Sequence, residues 1–207
     1  MTASPAEQRR QRQRTDARRA ILDASEALLV EDGYERFSMR RLADRCGYTA
    51  PTIYHYFGDK PGLLDALLEE RFERMLVDLR SVRPGGDPAG YLRDMARAFV
   101  GFALRNPNHY RVLMAPRPDG SEPPRAAEEA RELLQQPLHE LKAAGRLRID
   151  DFEAVAQSLW ALTHGLISLH ILRPDHEWSV DLLDVSLEIF LNGLLRGSSA
   201  RDESRPT

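Results

Sequence analysis

Residues Ser38–Lys60 read SMRRLADRCGYTAPTIYHYFGDK, and the reading of this stretch decides the fold. It spells a short helix, a turn at Cys46-Gly47-Tyr48 and a second short helix that ends in an aromatic cluster. Ser38 is placed to cap the first helix, because its hydroxyl accepts a hydrogen bond from a backbone N–H that the helix leaves unpaired. Leu42, Ala43 and Cys46 recur at helical spacing and are expected in a core. Gly47 supplies the left-handed residue that commonly closes a helix. Thr49 is expected to cap the second helix, and Pro51 fits its first turn, where the missing N–H has no helical partner. Ile53 and Phe57 are then left for the core, while Thr52, Tyr54, His55 and Tyr56 line the open side. Two short helices joined by a tight turn, the second polar and aromatic outward, form the pattern of a helix-turn-helix that inserts its second helix into the major groove.

On the N-terminal side, Ile21, Ala24, Leu28 and Leu29 predict a helix from Thr15 to Asp32 that Gly33 stops. Tyr34 and Phe37 lead from it into the motif. Residues 15–57 therefore make three helices, the minimum that gives a helix-turn-helix its own core. Residues 1–14 are polar and arginine-rich. They read either as a solvated, disordered tail or as a flexible arm that touches phosphates or enters a minor groove.

On the C-terminal side, Asp59 caps a fourth helix over residues 60–80, whose apolar stripe is Leu64, Leu67, Leu68, Phe72, Met75, Leu76 and Leu79. SVRPGGDP at 81–88 interrupts it, and Asp87-Pro88 starts a fifth helix to about Arg105. Asn106-Pro107 opens a short sixth helix through Met114, and the proline-rich residues 115–124 form a loop. A seventh helix from Arg125 to Gly145 is expected to kink or restart at Pro137. Asp150 and Glu153 resemble a capping box for an eighth, to about Leu172. Ser179 is expected to cap a ninth helix through Arg196. No strand pattern or internal repeat competes, so the fold class is all-α, with about nine helices.

Bulk properties narrow the function classes. With 42% hydrophobic and 29% charged residues, the 207-residue chain has the composition of a soluble globular protein. Cys46 is the only cysteine, which excludes an internal disulfide and a cysteine zinc cluster. The N-terminal stretch has no apolar core of the secretory type, and no run of about 18 apolar residues is read in the chain, so neither export nor a membrane partner is expected. The net charge of −3 is unevenly spread: residues 1–60 hold 11 Lys and Arg against 9 Asp and Glu, and residues 61–207 hold 18 against 23. A basic head on an acidic body suits DNA binding, where phosphate neutralisation supplies the sequence-independent part of affinity.

RFSMRRLADRCGYTAPTIYHYFGDKPGLLDALLEE, residues 36–70, resembles the head of the TetR (tetracycline repressor) family of bacterial transcriptional regulators. The resemblance rests on the spacing of Arg40, Ala43 and Gly47, on Tyr54-His55-Tyr56-Phe57, on Lys60 and on the apolar fourth helix. Asn106-Pro107, Tyr110-Arg111, Ala144-Gly145-Arg146-Leu147 and the Trp160–Gly165 segment resemble the subgroup with a Trp-His-Gly signature in its C-terminal domain. Tyr48 departs from the family pattern, which places a smaller aliphatic residue there. It is either accommodated by packing or adds a phenol near the DNA.

The resemblance implies a cytoplasmic, homodimeric repressor that binds a near-palindromic double-stranded DNA operator and is released by an unknown small apolar or amphipathic effector. It implies DNA contacts from Ser38, Arg40, Thr49, Ala50, Pro51, Thr52, Tyr54, His55, Tyr56 and Lys60. Hydroxyls of Ser38, Thr52 and Tyr54 suit phosphates, Arg40 suits a guanine edge, Ala50 and Pro51 suit a thymine methyl, and Lys60 suits a phosphate. Arg41 and Arg45 read as solvated charges or phosphate partners. The chain is then expected to divide into a disordered basic arm (1–14), a helix-turn-helix domain (15–60), a helical ligand-binding and dimerisation body (61–196) and a disordered tail (197–207).

Within the body, Phe99, Phe102, Tyr110, Met114, Trp160, His164 and Ile167 are candidates to line a ligand cavity, although aromatic stripes at helical spacing are more often plain core. Leu162, Leu166 and Leu169 of the eighth helix and Leu183, Leu187, Phe190 and Leu194 of the ninth are candidates for a four-helix dimer interface. His164 and His170 lie six apart on one helix and do not share a face, so no metal site is expected, and no cofactor. A second class, an all-α small-molecule- or metal-binding protein or enzyme with a vestigial head, finds no paired carboxylate, nucleophile or glycine-rich phosphate loop beside either histidine. No catalytic residue is expected.

Overall fold

In the computed structural model, which describes residues 4–115 and 122–196, the first helix starts earlier than its apolar pattern does. Helix α1 spans Pro5–Arg36. Ser4 caps it reciprocally: Glu7 N–H donates to Ser4 Oγ (3.3 Å), and Ser4 N–H donates to Glu7 Oε2 (2.6 Å). That capping box, with Pro5 in the first turn, makes residues 5–14 helical rather than irregular. Gly33 still breaks the helical geometry, with φ 75°, but as a bend inside α1 rather than its end.

The remaining helices among the described residues are α2 (Met39–Cys46), α3 (Ala50–Phe57), α4 (Lys60–Ser81), α5 (Pro88–Arg105), α6 (Pro107–Leu113), α7 (Arg125–Ala143), α8 (Phe152–Leu172) and α9 (Leu182–Leu194). No strand occurs among them beyond one isolated antiparallel bridge between Leu147 and Leu195. Helix α7 continues through Pro137 instead of restarting there. Helix α8 is capped by Asp151, whose carboxylate accepts from Ala154 N–H (3.1 Å), not by Asp150. Helix α9 begins at Leu182, after Ser179.

The chain forms two compact units, and their boundary differs from the one expected at residue 60. The first comprises residues up to Arg74 together with Asn106–Glu128, and the second comprises Met75–Arg105 and the residues from Glu129 onward. Helix α4 contributes to both, and α6 packs on α1 in the first. The reason lies in packing: Ile21, Leu22, Leu28, Leu42, Ile53, Leu63 and Leu67 form one core, and Val112 of α6 closes it. Tyr48 is half-buried against this core, so its bulk is absorbed by packing.

In the second unit, α5, α8 and α9 pack together around Leu92, Leu138, Leu141, Val155, Leu187 and Leu191. Arg97 Nε donates to Asp184 Oδ1 (2.8 Å), tying α5 to α9. Although polar residues interrupt it, so that it holds no continuous apolar run of about 18, α8 is long and apolar enough on average to cross a membrane by length and composition, a test that the core helix of a globular domain also passes. Its apolarity has a local cause. One face packs on α5 and α9, and exposed Trp160, Leu169 and Leu172 lie outside it. The tail expected over 197–207 and part of the loop expected over 115–124 lie outside the described residues.

Candidate nucleic-acid interface

The interface is built by caps and a glycine turn. Ser38 Oγ accepts from Arg41 N–H (3.3 Å) to start α2, and Gly47 ends it at φ 72°, where a side chain would be strained. Thr49 Oγ1 accepts from Thr52 N–H (3.3 Å) and lies 2.8 Å from Thr52 Oγ1, so both threonine hydroxyls are engaged in the cap. Ile53 and Phe57 anchor α3 in the core. Periodicity then leaves Thr49, Pro51, Tyr54 and His55 exposed, with Ala50, Thr52 and Tyr56 half-buried. Arg40 is exposed at the start of α2 and makes no ion pair among the described residues. The result is a short helix seated on an apolar floor, with an outward strip of hydroxyl, imidazole and small apolar groups beside a cationic side chain.

Lys60 is placed differently from a phosphate binder. Its ammonium donates to Tyr34 O (3.2 Å) and Phe37 O (3.1 Å) and sits over the Tyr34 ring at 4.2 Å. It therefore clamps the chain that leaves α1. The other two arginines of α2, Arg41 and Arg45, are exposed but each is paired with a carboxylate near the end of α1. Arg45 pairs with Glu31 through both nitrogens (2.5 and 2.7 Å), which lowers the Glu31 carboxyl below its ordinary range. Arg41 Nη1 approaches Asp32 Oδ2 to 2.7 Å as an ion pair without hydrogen-bond alignment. These pairs hold α2 against the end of α1.

Two family models cover the greater part of this chain. "Bacterial regulatory proteins, tetR family" matches residues 21–67, the α1–α4 head, and "Tetracyclin repressor-like, C-terminal domain" matches residues 92–194. The chain belongs to the TetR family of bacterial regulatory proteins. Among relatives, it is 36% identical over 93 residues to the HTH-type transcriptional repressor KstR of Mycolicibacterium smegmatis, covering 44% of this chain and 46% of that protein. It is 33% identical over 102 residues to the Escherichia coli tetracycline repressor protein class D, covering 49% and 46%. The chain thus spans under half the length of these curated relatives. A TetR family transcription regulator from Marinobacter aquaeolei VT8 shares the fold with a TM-score of 0.75 at 20% identity, over 89% of this chain and 98% of that one. A Rhodococcus sp. RHA1 structure described as a protein with unknown function reaches 0.67 at 26%, over 87% and 96%.

Beneath the TetR-type head lies an ionic cluster that the sequence reading missed. Arg71 is 1% exposed and bonds to Glu26, Glu70 and Asp23, the last at 2.6 Å. Glu26 Oε1 lies 2.9 Å from His109 Nδ1, so α1, α4 and α6 meet in one network. Burial works against the charge on Arg71, but Glu26 and its other carboxylate partners outweigh it and raise its pKa. Burial likewise works against the Glu26 carboxylate, and His109 and Arg71 outweigh it to hold Glu26 below its ordinary range. The available signal was positional: Arg71 continues the buried Leu63, Leu67, Met75 register of α4. Gly62 was also passed over. A Cβ there would lie 2.4 Å from Phe57 O, so only glycine lets α4 start this close to the end of α3.

The expected ligand-site residues separate. Phe99, His164 and Trp160 come together in the second unit, with ring centroids 5.2 and 4.7 Å apart in turn. Burial lowers the His164 pKa to about 4, so its ring is neutral at ordinary pH. Phe102 and Ile167 are buried. Tyr110 and Met114 belong to the first unit. An open groove along α7, lined in part by Glu132, Gln136 and His139, includes none of these seven residues.

Three of the residues expected at a dimer interface are corrected by burial. Leu187 is 0% exposed, and Leu166 and Leu194 are buried too, because they face the chain's own core. Leu162, Leu183 and Phe190 are half-buried against that core, and Leu169 is exposed. The exposed large apolar side chains of the same two helices are Trp160, Leu169 and Leu172 on α8, of which Leu169 and Leu172 are neighbours at i and i+3, and Val185 and Ile189 on α9. Leu169 is common to both sets, and on α9 the exposed residues lie one or two positions from the expected ones, because a helix apolar on both sides does not announce which side its own core covers.

Proposed function

We propose that this chain is a DNA-binding transcriptional repressor that acts as a homodimer on a palindromic operator in the cytoplasm. The observation that carries the reading is the outward strip of α3, Thr49, Pro51, Tyr54 and His55, held on a buried anchor beside exposed Arg40. Those groups suit base edges and phosphates in a major groove: Arg40 for a guanine edge, Pro51 and Ala50 for a thymine methyl, Tyr54 and Ser38 for phosphates. The repressor names of the relatives KstR and the tetracycline repressor support the sense of regulation.

The exposed apolar strips of α8 and α9 are the proposed dimer contact. Burial of Leu169, Leu172, Val185 and Ile189 against a second copy removes from water large apolar side chains that these helices expose. Two heads then read adjacent major-groove turns, about 34–36 Å apart. A small apolar or amphipathic effector in the body, beside the neutral His164, Phe99 and Trp160, releases the DNA by binding the two conformations unequally. The Trp160–Gly165 segment supports the finer placement in the Trp-His-Gly subgroup.

Selection of duplexes from a random pool, followed by mobility shift at low salt, tests the reading. A recovered sequence with two-fold symmetry is expected. Failure to retain any duplex overturns it.

A further inference from the structure

Helix α1 projects a stretch with no core to cover it. Every residue from Ser4 to Asp16 is exposed, and Ala17 is the first buried one. Within that stretch lie Arg9, Arg10, Arg12 and Arg14, none of which makes an ion pair among the described residues. The nearby Glu7 is occupied by the Ser4 capping box. A helix polar all round, with like charges at i and i+4, gains little from folding alone. Arg10, Arg14 and Arg18 occur at successive i+4 positions and so form one stripe. Its inner end is anchored: the Arg18 guanidinium lies 4.9 Å from the centre of the Phe57 ring, at the C-terminal end of α3. From there Arg14 and Arg10 step outward by roughly 6 and 12 Å at the helical rise of about 1.5 Å per residue.

We infer that the first turns of α1 are a phosphate-binding arm. Arg10 and Arg14, flanked by Arg9 and Arg12, contact the DNA backbone beside the half-site that α3 reads. The inference rests on the proposed DNA-binding function and deepens it. The cap at Ser4 pre-orders the arm, so its charges reach the backbone with less conformational freedom left to lose. The contact is sequence-independent, because guanidinium groups on phosphate carry no base information. Any anionic strand would satisfy the same chemistry, and the position of Arg18 against α3 selects the strand flanking the operator.

The test measures binding of the full-length protein by fluorescence anisotropy across a salt series. The probes are the duplex recovered from the random pool and a scrambled duplex of equal length. In Arg10→Gln/Arg14→Gln, the slope of log Kd against log salt is expected to fall by about 3.6 for the dimer, since each copy loses two phosphate contacts and each lost contact removes about 0.9. Affinity is expected to fall by a similar factor on both duplexes. Arg10→Lys/Arg14→Lys keeps the charges and is expected to keep the slope. An unchanged slope in the glutamine variant overturns the arm while wild-type binding leaves the repressor reading intact. A loss confined to the selected duplex, or a lysine variant as weak as the glutamine one, overturns it too. Wild-type protein that binds neither duplex sinks the repressor reading itself. Far-UV circular dichroism of each variant reports whether α1 stays folded, and a slope that falls only where helix content falls also counts against the arm.

Discussion

Arg71 carries the most consequential single-residue chemistry in the head. Its removal would leave the buried Glu26 carboxylate without its guanidinium, facing His109 alone among the partners described above. Arg71→Leu is therefore expected to destabilise the protein by about 3–5 kcal/mol in urea unfolding, as breaking a buried pair does. Pairing it with Glu26→Leu is expected to restore part of that loss, because both charges then leave together. His164 makes a pH prediction. Its folded pKa of about 4 lies below the ordinary 6.5, so between those values the unfolded chain binds a proton that the folded chain does not. Stability should then fall as pH drops from about 6.5 towards 4. Glu26, held below its ordinary range, adds acid lability only lower down, as pH falls through the carboxylate range. His164→Phe keeps the ring between Phe99 and Trp160 and is expected to flatten the loss between pH 6.5 and 5. Urea midpoints at the two pH values check this, and a wild-type slope in the variant assigns the proton elsewhere.

At the scale of elements, the register of α8 and α9 is decisive. Ile189, 69% exposed, and Leu187, fully buried, are two residues apart and should respond in opposite ways. Ile189→Glu is expected to give a folded monomer by sedimentation velocity, with its melting temperature near that of wild type at monomer concentration. Leu187→Arg places a charge in the core of the second unit and is expected to prevent folding. A dimeric Ile189→Glu protein would show that another face pairs the copies. The α3–α4 junction gives a further test. Gly62→Ala forces Phe57 O away from α4 and is expected to cost about 1–3 kcal/mol, of the order seen for overpacking, with DNA affinity falling as α3 shifts. A stability equal to wild type by thermal unfolding would mean that the helix start yields freely.

For the whole molecule, the head was the more legible unit. Ser38, Gly47, Thr49 and Pro51 are local signals: each acts on backbone groups within three or four residues, so their order along the chain already states the helix-turn-helix. The division at residue 60 was not legible, because α6 joins the first unit through Val112 and His109, far along the chain. The candidate site was legible in part. Exposure of Tyr54, His55 and Pro51 follows from the burial of Ile53 and Phe57. Lys60 was not, since its partners are carbonyls of Tyr34 and Phe37 that no side-chain pattern announces.

The sequence by itself determined the all-α class, the caps and turn of the reading head, and the excess of basic charge at the N-terminal end, because these depend on neighbours along the chain. Only the tertiary structure decided which apolar faces of α8 and α9 are core and which are free, that Arg71 is buried among carboxylates, and that Lys60 clamps the backbone. Helical spacing tells which residues share a face; it cannot tell which face another helix covers, since burial depends on partners distant in sequence.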